Sequence, residues 1–176
     1  MTQLVVITGP IASGKSVVAT ALADRLNAAG LFVAVADLDD TVATMDASPE
    51  GLENTWERAR VLHSDLVGQL LSTGVDAVIA HGPFYSAKET FALMREVPAG
   101  IAVRRVMLLA TYEVALERVM GDSSRGLSKD AVFLQSTYER FLQLLPAIEE
   151  CEWTFNSTKT SVDEIVTTIT EALLRN

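Results

Sequence analysis

The fold is decided by the stretch Gly9-Pro10-Ile11-Ala12-Ser13-Gly14-Lys15-Ser16, which fits the pattern G-x-x-x-x-G-K-[ST] at every position. The apolar run 4–8 precedes it, and apolar residues at helical spacing follow at Val18, Leu22 and Leu26. A glycine-rich turn between a strand and a helix lets backbone N–H groups point inward, beside the positive end of the helix dipole. The pattern therefore predicts a loop that holds phosphate groups. The alternative is an ordinary strand-to-helix turn with a solvent-exposed lysine.

The same loop carries the predicted site for ATP and Mg²⁺. Lys15 is expected to neutralise charge between the β- and γ-phosphates, and the hydroxyl of Ser16 is expected to bind Mg²⁺. Backbone amides of the loop and of the first helical turn supply the remaining contacts. The nucleotide-binding residues predicted in this segment are Gly9, Ile11, Ala12, Ser13, Gly14, Lys15, Ser16 and Val17.

Five short apolar runs alternate with helix-like segments along the chain, at 4–8, 31–36, 75–80, 103–110 and 153–156. Most of these runs are continuous, which is typical of parallel strands covered by helices on both faces. Leu62, Leu66 and Leu70 repeat at helical spacing, and the patterns Ser86-x-x-Glu89 and Ser161-x-x-Glu164 are typical of helix starts. Strict alternation of strand and helix predicts an α/β fold with a mostly parallel sheet.

Composition excludes several classes of protein. The chain has 176 residues, of which 49% are hydrophobic and 21% charged, so we expect one globular domain over 1–176 rather than a disordered segment or a coiled coil. A single cysteine, Cys151, allows no internal disulfide. A net charge of −9 disfavours nucleic acid and anionic membranes as partners. From the first residues of the sequence we expect no signal peptide, and no apolar run is long enough to span a bilayer, which together predict a cytoplasmic protein.

The phosphate loop, the length and the order of elements resemble the small P-loop kinases of the nucleoside-monophosphate-kinase type. Within that group the chain is most similar to the branch of shikimate kinase, gluconate kinase, adenylylsulfate kinase and chloramphenicol phosphotransferase. The resemblance covers nearly the whole chain, although only the loop 9–16 is highly specific. It implies a five-stranded parallel sheet in the order 2-3-1-4-5, a lid after the fourth strand, and phosphoryl transfer from ATP.

Two carboxylates follow the second predicted strand, at Asp37 and Asp39. They match an Asp-x-Asp of shikimate kinase, which implies that Asp37 acts through the Mg²⁺ shell and Asp39 binds and activates the accepting hydroxyl. In an extended segment, residues two apart point the same way, so both side chains are expected to face the loop. The alternative is that these acids cap the next helix. The third strand ends without a carboxylate, and its His81 is expected either to touch substrate or to make a structural hydrogen bond.

A polar, turn-rich segment at 121–130 is the candidate lid, with a plain solvated connection as the alternative. The resemblance implies that lid arginines close over the phosphates. Arg125 is accordingly predicted to be catalytic and Arg118 to bind nucleotide, but the spacing leaves open which of them acts in transfer. The adenine-contacting loop is expected after the fifth strand, at Asn156 and Thr158.

The acceptor site is expected around the helix after the second strand and the end of the third strand. Its predicted residues are Asp39, Trp56, Arg58, Arg60, His81 and Phe84. For Trp56 and the two arginines, the alternative is an ordinary helix face. Segment 134–138 has no arginine comparable to the carboxylate-binding arginine of shikimate kinase, so shikimate is not expected.

The predicted activity is phosphoryl transfer to a hydroxyl of a small metabolite or antibiotic, by a monomer or homodimer. A nucleotide or nucleoside kinase of the same fold is the first alternative. The second alternative is a regulatory ATPase that works by binding a partner.

Overall fold

The computed structural model describes residues 2–45, 52–123, 126–148 and 151–175. Within them the strands are β1 (Gln3–Thr8), β2 (Val33–Asp37), β3 (Ala77–His81), β4 (Ala102–Leu109) and β5 (Trp153–Asn156). The helices are α1 (Lys15–Ala28), α2 (Leu38–Ala43), α3 (Leu52–Leu71), α4 (Ala87–Met94), α5 (Tyr112–Gly121), α6 (Ala131–Leu144) and α7 (Val162–Leu174). Short 3-10 turns lie at Leu127–Lys129 and Leu145–Ala147.

The five strands form one parallel sheet in the order β2-β3-β1-β4-β5. Ile7 of the central strand β1 lies beside His81 of β3 on one side and Val106 of β4 on the other. The predicted α/β class and strand order are therefore confirmed. Because the strands all run the same way, their carboxyl ends meet along one edge of the sheet, where ligands bind in folds of this type. Asp37 and His81 are paired at this edge.

Both faces of the sheet are covered by helices. Val5 and Ile7 of β1 pack in the core cluster formed with α1 and α7, whereas Leu4 and Val6 pack in the cluster formed with α3 and α4. This explains why the strands are continuous apolar runs, since neither face of β1 meets water. A sheet buried in this way holds the residues at its carboxyl edge on a rigid base.

Helix α3 is amphipathic, but its buried face differs from the stripe that the leucine spacing indicated. Leu62 and Leu66 are 51% and 42% exposed, while His63 and Val67, one residue further along, are buried. The helix itself was correctly predicted by the spacing. Among the described helices, none combines the length and the apolar character needed to cross a membrane.

Candidate functional site

The predicted phosphate loop connects β1 to α1 through two glycines with positive φ. Gly9 has φ +148°, and a Cβ at this position would lie 2.2 Å from the carbonyl oxygen of Leu108. Gly14 has φ +97°, and a Cβ there would meet nothing within 4 Å, so open space lies in front of the loop. The first glycine therefore allows close packing against β4, and the second allows the backbone to turn into α1.

The start of α1 has no side-chain cap within the described part of the chain, and its first turn carries no acidic residue. Helices α2, α4, α5, α6 and α7 each begin at a side chain that accepts from a backbone amide, namely Asp37, Ser86, Thr111, Asp130 and Ser161. The buried hydroxyl of Ser13, in the same loop, also lacks a hydrogen-bond partner among the described residues. Uncapped amides and an unpartnered hydroxyl beside open space fit the phosphates of a nucleotide.

Lys15 is folded back over the loop and is only 9% exposed. Its Nζ donates to the carbonyl oxygens of Gly9 and Pro10, at 2.9 and 3.0 Å. After burial, its positive charge is the next cause that lowers the pKa of His81, and it partly opposes the rise in the pKa of Asp37 that burial produces, so the three groups are neighbours at the edge of the sheet. The loop thus carries a buried cation near the candidate Mg²⁺ ligand Asp37.

Asp37 and His81 end neighbouring strands and face each other, with 3.5 Å between His81 Nδ1 and Asp37 Oδ1. Burial, followed by the charge of Asp39, raises the pKa of Asp37 to about 6. Burial, followed by the charge of Lys15, lowers the pKa of His81 to about 4. At pH 7 the contact therefore joins a neutral imidazole to a carboxylate. The carboxylate of Asp37 and the hydroxyl of the exposed Ser16, the two predicted Mg²⁺ ligands, are oxygen groups of the kind that Mg²⁺ prefers.

The expected extended geometry of Asp37 and Asp39 is wrong. Helix α2 begins at Leu38, and the side chain of Asp37 caps it by accepting from the Asp39 amide at 2.8 Å. The alternative interpretation of these acids, as helix caps, thus holds for Asp37. Aspartate is a strong N-cap residue, and the carboxylates of Asp39 and Asp40 in the first turn interact favourably with the positive end of the helix dipole. A helix is therefore favoured from Leu38 onward, which explains why the strand ends at Asp37.

Asp39 is exposed in the first turn of α2, yet its charge acts on the interior of the site. Its negative charge raises the pKa of Asp37. Burial and then the charge of Asp39 raise the pKa of Tyr85. Burial lowers the pKa of His63, and the charge of Asp39 partly opposes that shift. Asp39 does not line the cavity described next, although its charge acts on Tyr85 in the wall of that cavity.

A cavity of about 780 Å³ lies between α3, α4 and α6 and reaches the phosphate loop at Ile11. Trp56 and Arg60, two of the residues predicted for an acceptor site, line it. These two residues are four apart and share one face of α3. Arg58 lies on another face of that helix and is exposed, so its predicted place in the site is wrong.

Phe84 is a core residue rather than a cavity wall, which corrects a second prediction. It is 1% exposed and packs beside His63, with 5.9 Å between ring centroids. The next residue, Tyr85, lines the cavity and donates from its hydroxyl to the carbonyl oxygen of Gly9 at 2.8 Å. His81 does not line the cavity either, because it is buried against Asp37.

Four charged residues that line the cavity were not among the predicted site residues, namely Glu57, Lys88, Glu89 and Arg140. Glu89 is 4% exposed, and its Oε1 accepts from Arg60 at 2.9 Å and from Arg140 at 2.8 Å. Arg140 lies on α6, two residues after Tyr138. The segment 134–138 has no arginine, but this arginine just beyond it lines the cavity. The capping pattern that begins at Ser86 had already marked Glu89 as a helix-start residue, but no local signal connects it to Arg140.

Arg118 connects the phosphate loop to the loop after β5. Its guanidinium donates to the carbonyl oxygen of Ala12 at 2.8 Å and to the carbonyl oxygen of Ser157 at 3.0 Å. Asn156 accepts from the amide and hydroxyl of Thr158, so these predicted nucleotide-binding residues lie beside the same junction. Arg125, predicted to be catalytic, lies outside the described residues.

No protein-family model and no curated protein sequence matches the chain. Solved structures do match it over almost its full length. APS kinase of Mycobacterium tuberculosis, in complex with AMPPNP and APS, has a TM-score of 0.73 at 19% identity and covers 99% of this chain and 98% of its own. Shikimate kinase of Acinetobacter baumannii, in complex with shikimate, has a TM-score of 0.64 at 20% identity, with coverages of 100% and 95%.

A tunicamycin resistance protein of Deinococcus radiodurans is similar as well, with a TM-score of 0.67 at 16% identity and coverages of 98% and 96%. At identities this low the similarity shows the fold alone. The chain therefore has the fold of the small P-loop kinases, the group that its phosphate loop and element order resemble.

Proposed function

We propose that the protein is a Mg²⁺-dependent kinase that transfers the γ-phosphoryl group of ATP to a hydroxyl of a small metabolite or antibiotic. The observation that carries the proposal is the junction between the phosphate loop and the cavity. Ile11 belongs to both, and Tyr85 of the cavity donates to Gly9 of the loop. A phosphoryl group held by the loop therefore faces a pocket large enough for a small organic acceptor.

Within this proposal the loop binds the triphosphate. The uncapped amides of α1 and the hydroxyl of Ser13 bind phosphate oxygens, and Lys15 exchanges its carbonyl partners for them. Ser16 and Asp37 hold Mg²⁺, which supplies neutralisation of the charge on the phosphate oxygens. His81 keeps the Asp37 carboxylate in place from the neighbouring strand.

Asp39 is proposed to orient the accepting hydroxyl and to take its proton. It is exposed, and its charge acts on cavity-lining Tyr85. A loose transition state for phosphoryl transfer requires little proton removal by a base. The main contribution of the Asp39 carboxylate is therefore to orient the accepting hydroxyl.

The candidate lid is proposed to close over the transferred group. Arg125 supplies positive charge to the phosphates, while Arg118 holds the phosphate loop against Ser157 on the nucleotide side. Asn156 and Thr158 contribute small polar groups to the adenine side of the same junction.

An ADP-release screen tests the proposal. Purified protein with ATP and Mg²⁺ is offered sugars, nucleosides, cyclitols, and phenicol, aminoglycoside and nucleoside antibiotics, each with an acceptor-free control. An acceptor that raises ADP release and gains one phosphate by mass spectrometry supports the proposal. Stimulation by nucleosides or nucleoside monophosphates alone favours a nucleotide or nucleoside kinase instead. Slow ADP release that no acceptor changes would favour a regulatory ATPase.

A further inference from the structure

Each of the two backbone carbonyls that hold Lys15 accepts a second hydrogen bond. The carbonyl oxygen of Gly9 accepts from Lys15 Nζ at 2.9 Å and from the hydroxyl of Tyr85 at 2.8 Å. The carbonyl oxygen of Pro10 accepts from Lys15 Nζ at 3.0 Å and from the backbone amide of Ser13 at 3.2 Å. A carbonyl oxygen has two lone pairs, so it can accept from both donors at once.

The second donors matter because Gly9 and Pro10 are both buried. A buried carbonyl oxygen that loses its last donor costs free energy, whereas one that loses one of two donors keeps a partner. When phosphate groups draw Lys15 away, Gly9 keeps the hydroxyl of Tyr85 and Pro10 keeps the amide of Ser13. The loop can therefore release its lysine without leaving either carbonyl unpaired.

The hydroxyl of Tyr85 is held at Gly9 by contacts outside the phosphate loop. The tyrosine is 2% exposed, and its ring meets that of Phe141 on α6 edge-on, with 5.1 Å between centroids. The backbone beside it is fixed as well, because the amide of Phe84 donates to the hydroxyl of Thr8 at the end of β1, at 3.1 Å. Burial raises the pKa of Tyr85, so the hydroxyl keeps its proton and can donate at neutral pH. The donor is thus in position before the lysine moves.

Resting on the proposed function, we propose that Tyr85 is a positioning residue for nucleotide binding, whose hydroxyl keeps the Gly9 carbonyl paired when Lys15 moves to the phosphates. Tyr85 acts through the loop, and this role requires no contact between the tyrosine and the nucleotide. Without the hydroxyl, departure of Lys15 would leave the buried oxygen of Gly9 unpaired. The cost of that unpaired oxygen would then be subtracted from the affinity for the nucleotide.

The variant Tyr85→Phe tests this by removing the donor and keeping the ring. Binding of the Mg²⁺ complex of AMPPNP is measured by calorimetry, in the absence of any acceptor. In the free variant, Lys15 still donates to Gly9, but in the complex no side chain does. We therefore expect the affinity for AMPPNP to fall by about tenfold.

The matched control is Tyr138→Phe, which makes the same change at another buried tyrosine. Tyr138 is 3% exposed, and its hydroxyl donates to the carbonyl oxygens of Ala110 and Thr111, at 3.2 and 3.3 Å. These carbonyls lie outside the phosphate loop, and their pairing does not depend on where Lys15 points. The affinity of this control for AMPPNP is expected to change by less than about threefold.

A double-mutant cycle with Lys15→Met separates the proposed role from a general contribution of Tyr85 to the loop. In the Lys15→Met background no ammonium group leaves Gly9 when nucleotide binds. Adding Tyr85→Phe there leaves the carbonyl unpaired in the free and the bound protein alike. The affinity should therefore change by less than about threefold in this background, compared with about tenfold where the lysine is present.

Unchanged AMPPNP affinity in Tyr85→Phe would overturn the proposal. An equal loss in Tyr138→Phe, or an equal loss in the Lys15→Met background, would overturn it as well. If Lys15→Met binds AMPPNP too weakly to be measured, the comparison of Tyr85→Phe with Tyr138→Phe decides. Should Tyr85→Phe fail to fold, a crystal structure of the unaltered protein with AMPPNP decides. The Tyr85 hydroxyl is expected within hydrogen-bond distance of the Gly9 oxygen there, with Lys15 on the phosphates, and a hydroxyl that has left Gly9 contradicts the assigned role.

These measurements distinguish a failure of this inference from a failure of the proposed function. They need no acceptor and no transfer, so they are interpretable even if no acceptor is found. An unaltered protein that binds no AMPPNP would contradict both proposals. Normal binding of AMPPNP by the unaltered protein and by Tyr85→Phe alike would contradict the role of Tyr85 alone and leave the kinase proposal standing.

Discussion

Replacing Lys15 with methionine is expected to stop phosphoryl transfer while leaving the fold in place. Methionine keeps an unbranched chain in a position that is only 9% exposed. It removes the ammonium group that donates to the carbonyl oxygens of Gly9 and Pro10. Those hydrogen bonds are lost, but so is the cost of burying an ammonium group, and the two effects oppose each other. We expect the free energy of unfolding to change by no more than about 2 kcal/mol.

The effect on the reaction is expected to be much larger than the effect on stability. A preorganised charge that acts on the transferring group contributes about 3–4 kcal/mol to transition-state stabilisation, so its removal lowers kcat by roughly 10²–10³-fold. A second consequence does not depend on activity. The charge of Lys15 helps to lower the pKa of His81 to about 4, so that pKa is expected to rise in the variant.

The assay is ADP release with the best acceptor from the screen, and the pKa of His81 is followed by NMR titration. Arg25→Met is the control, because it removes a cation from the far end of the same helix, where Arg25 pairs with Asp163. Circular dichroism establishes folding of both variants. Turnover within about threefold of the unaltered protein in a folded Lys15→Met variant would refute the role of this lysine in transfer.

Three further outcomes are expected. Asp39→Asn should lower kcat with acceptor by about 10²-fold and leave ATP affinity unchanged, while Asp40→Asn, next to it on the exposed face of α2, should be nearly silent; the reverse pattern in steady-state kinetics would reassign the base. Phe84→Ala should cost about 3–5 kcal/mol in urea unfolding because the ring is buried, and a cost below 1 kcal/mol would contradict its place in the core. Hydrogen exchange across 121–129 should slow when an ATP analogue and acceptor bind; unchanged exchange with binding established would make this segment a plain connection.

The backbone of this protein could be predicted because its signals are local. Strands that are buried on both faces are continuous apolar runs, and the phosphate loop needs glycine at two positions with positive φ. The side on which a helix is buried depends on contacts with residues that are distant in the sequence. The spacing of Leu62 and Leu66 correctly indicates α3, but packing against the sheet buries the face that includes His63 and Val67. Likewise, Asp37 caps helix α2, so Asp39 lies in that helix. The alternation of side chains along an extended segment therefore does not apply to these two residues.

The sequence alone determined the fold class, the phosphate loop and the candidate acids after β2. Each depends on short local patterns, and for the fold class such patterns alternate along the whole chain. Only the tertiary structure decided how the acceptor cavity is built. Glu89 and Arg140 are 51 positions apart, and Glu89 and Arg60 are 29 apart, so no spacing rule connects them. They meet because the parallel sheet brings α3, α4 and α6 to the same edge. The buried carboxylate of Glu89 is stable there because both guanidinium groups and the backbone amides of Tyr85 and Ser86 donate to it.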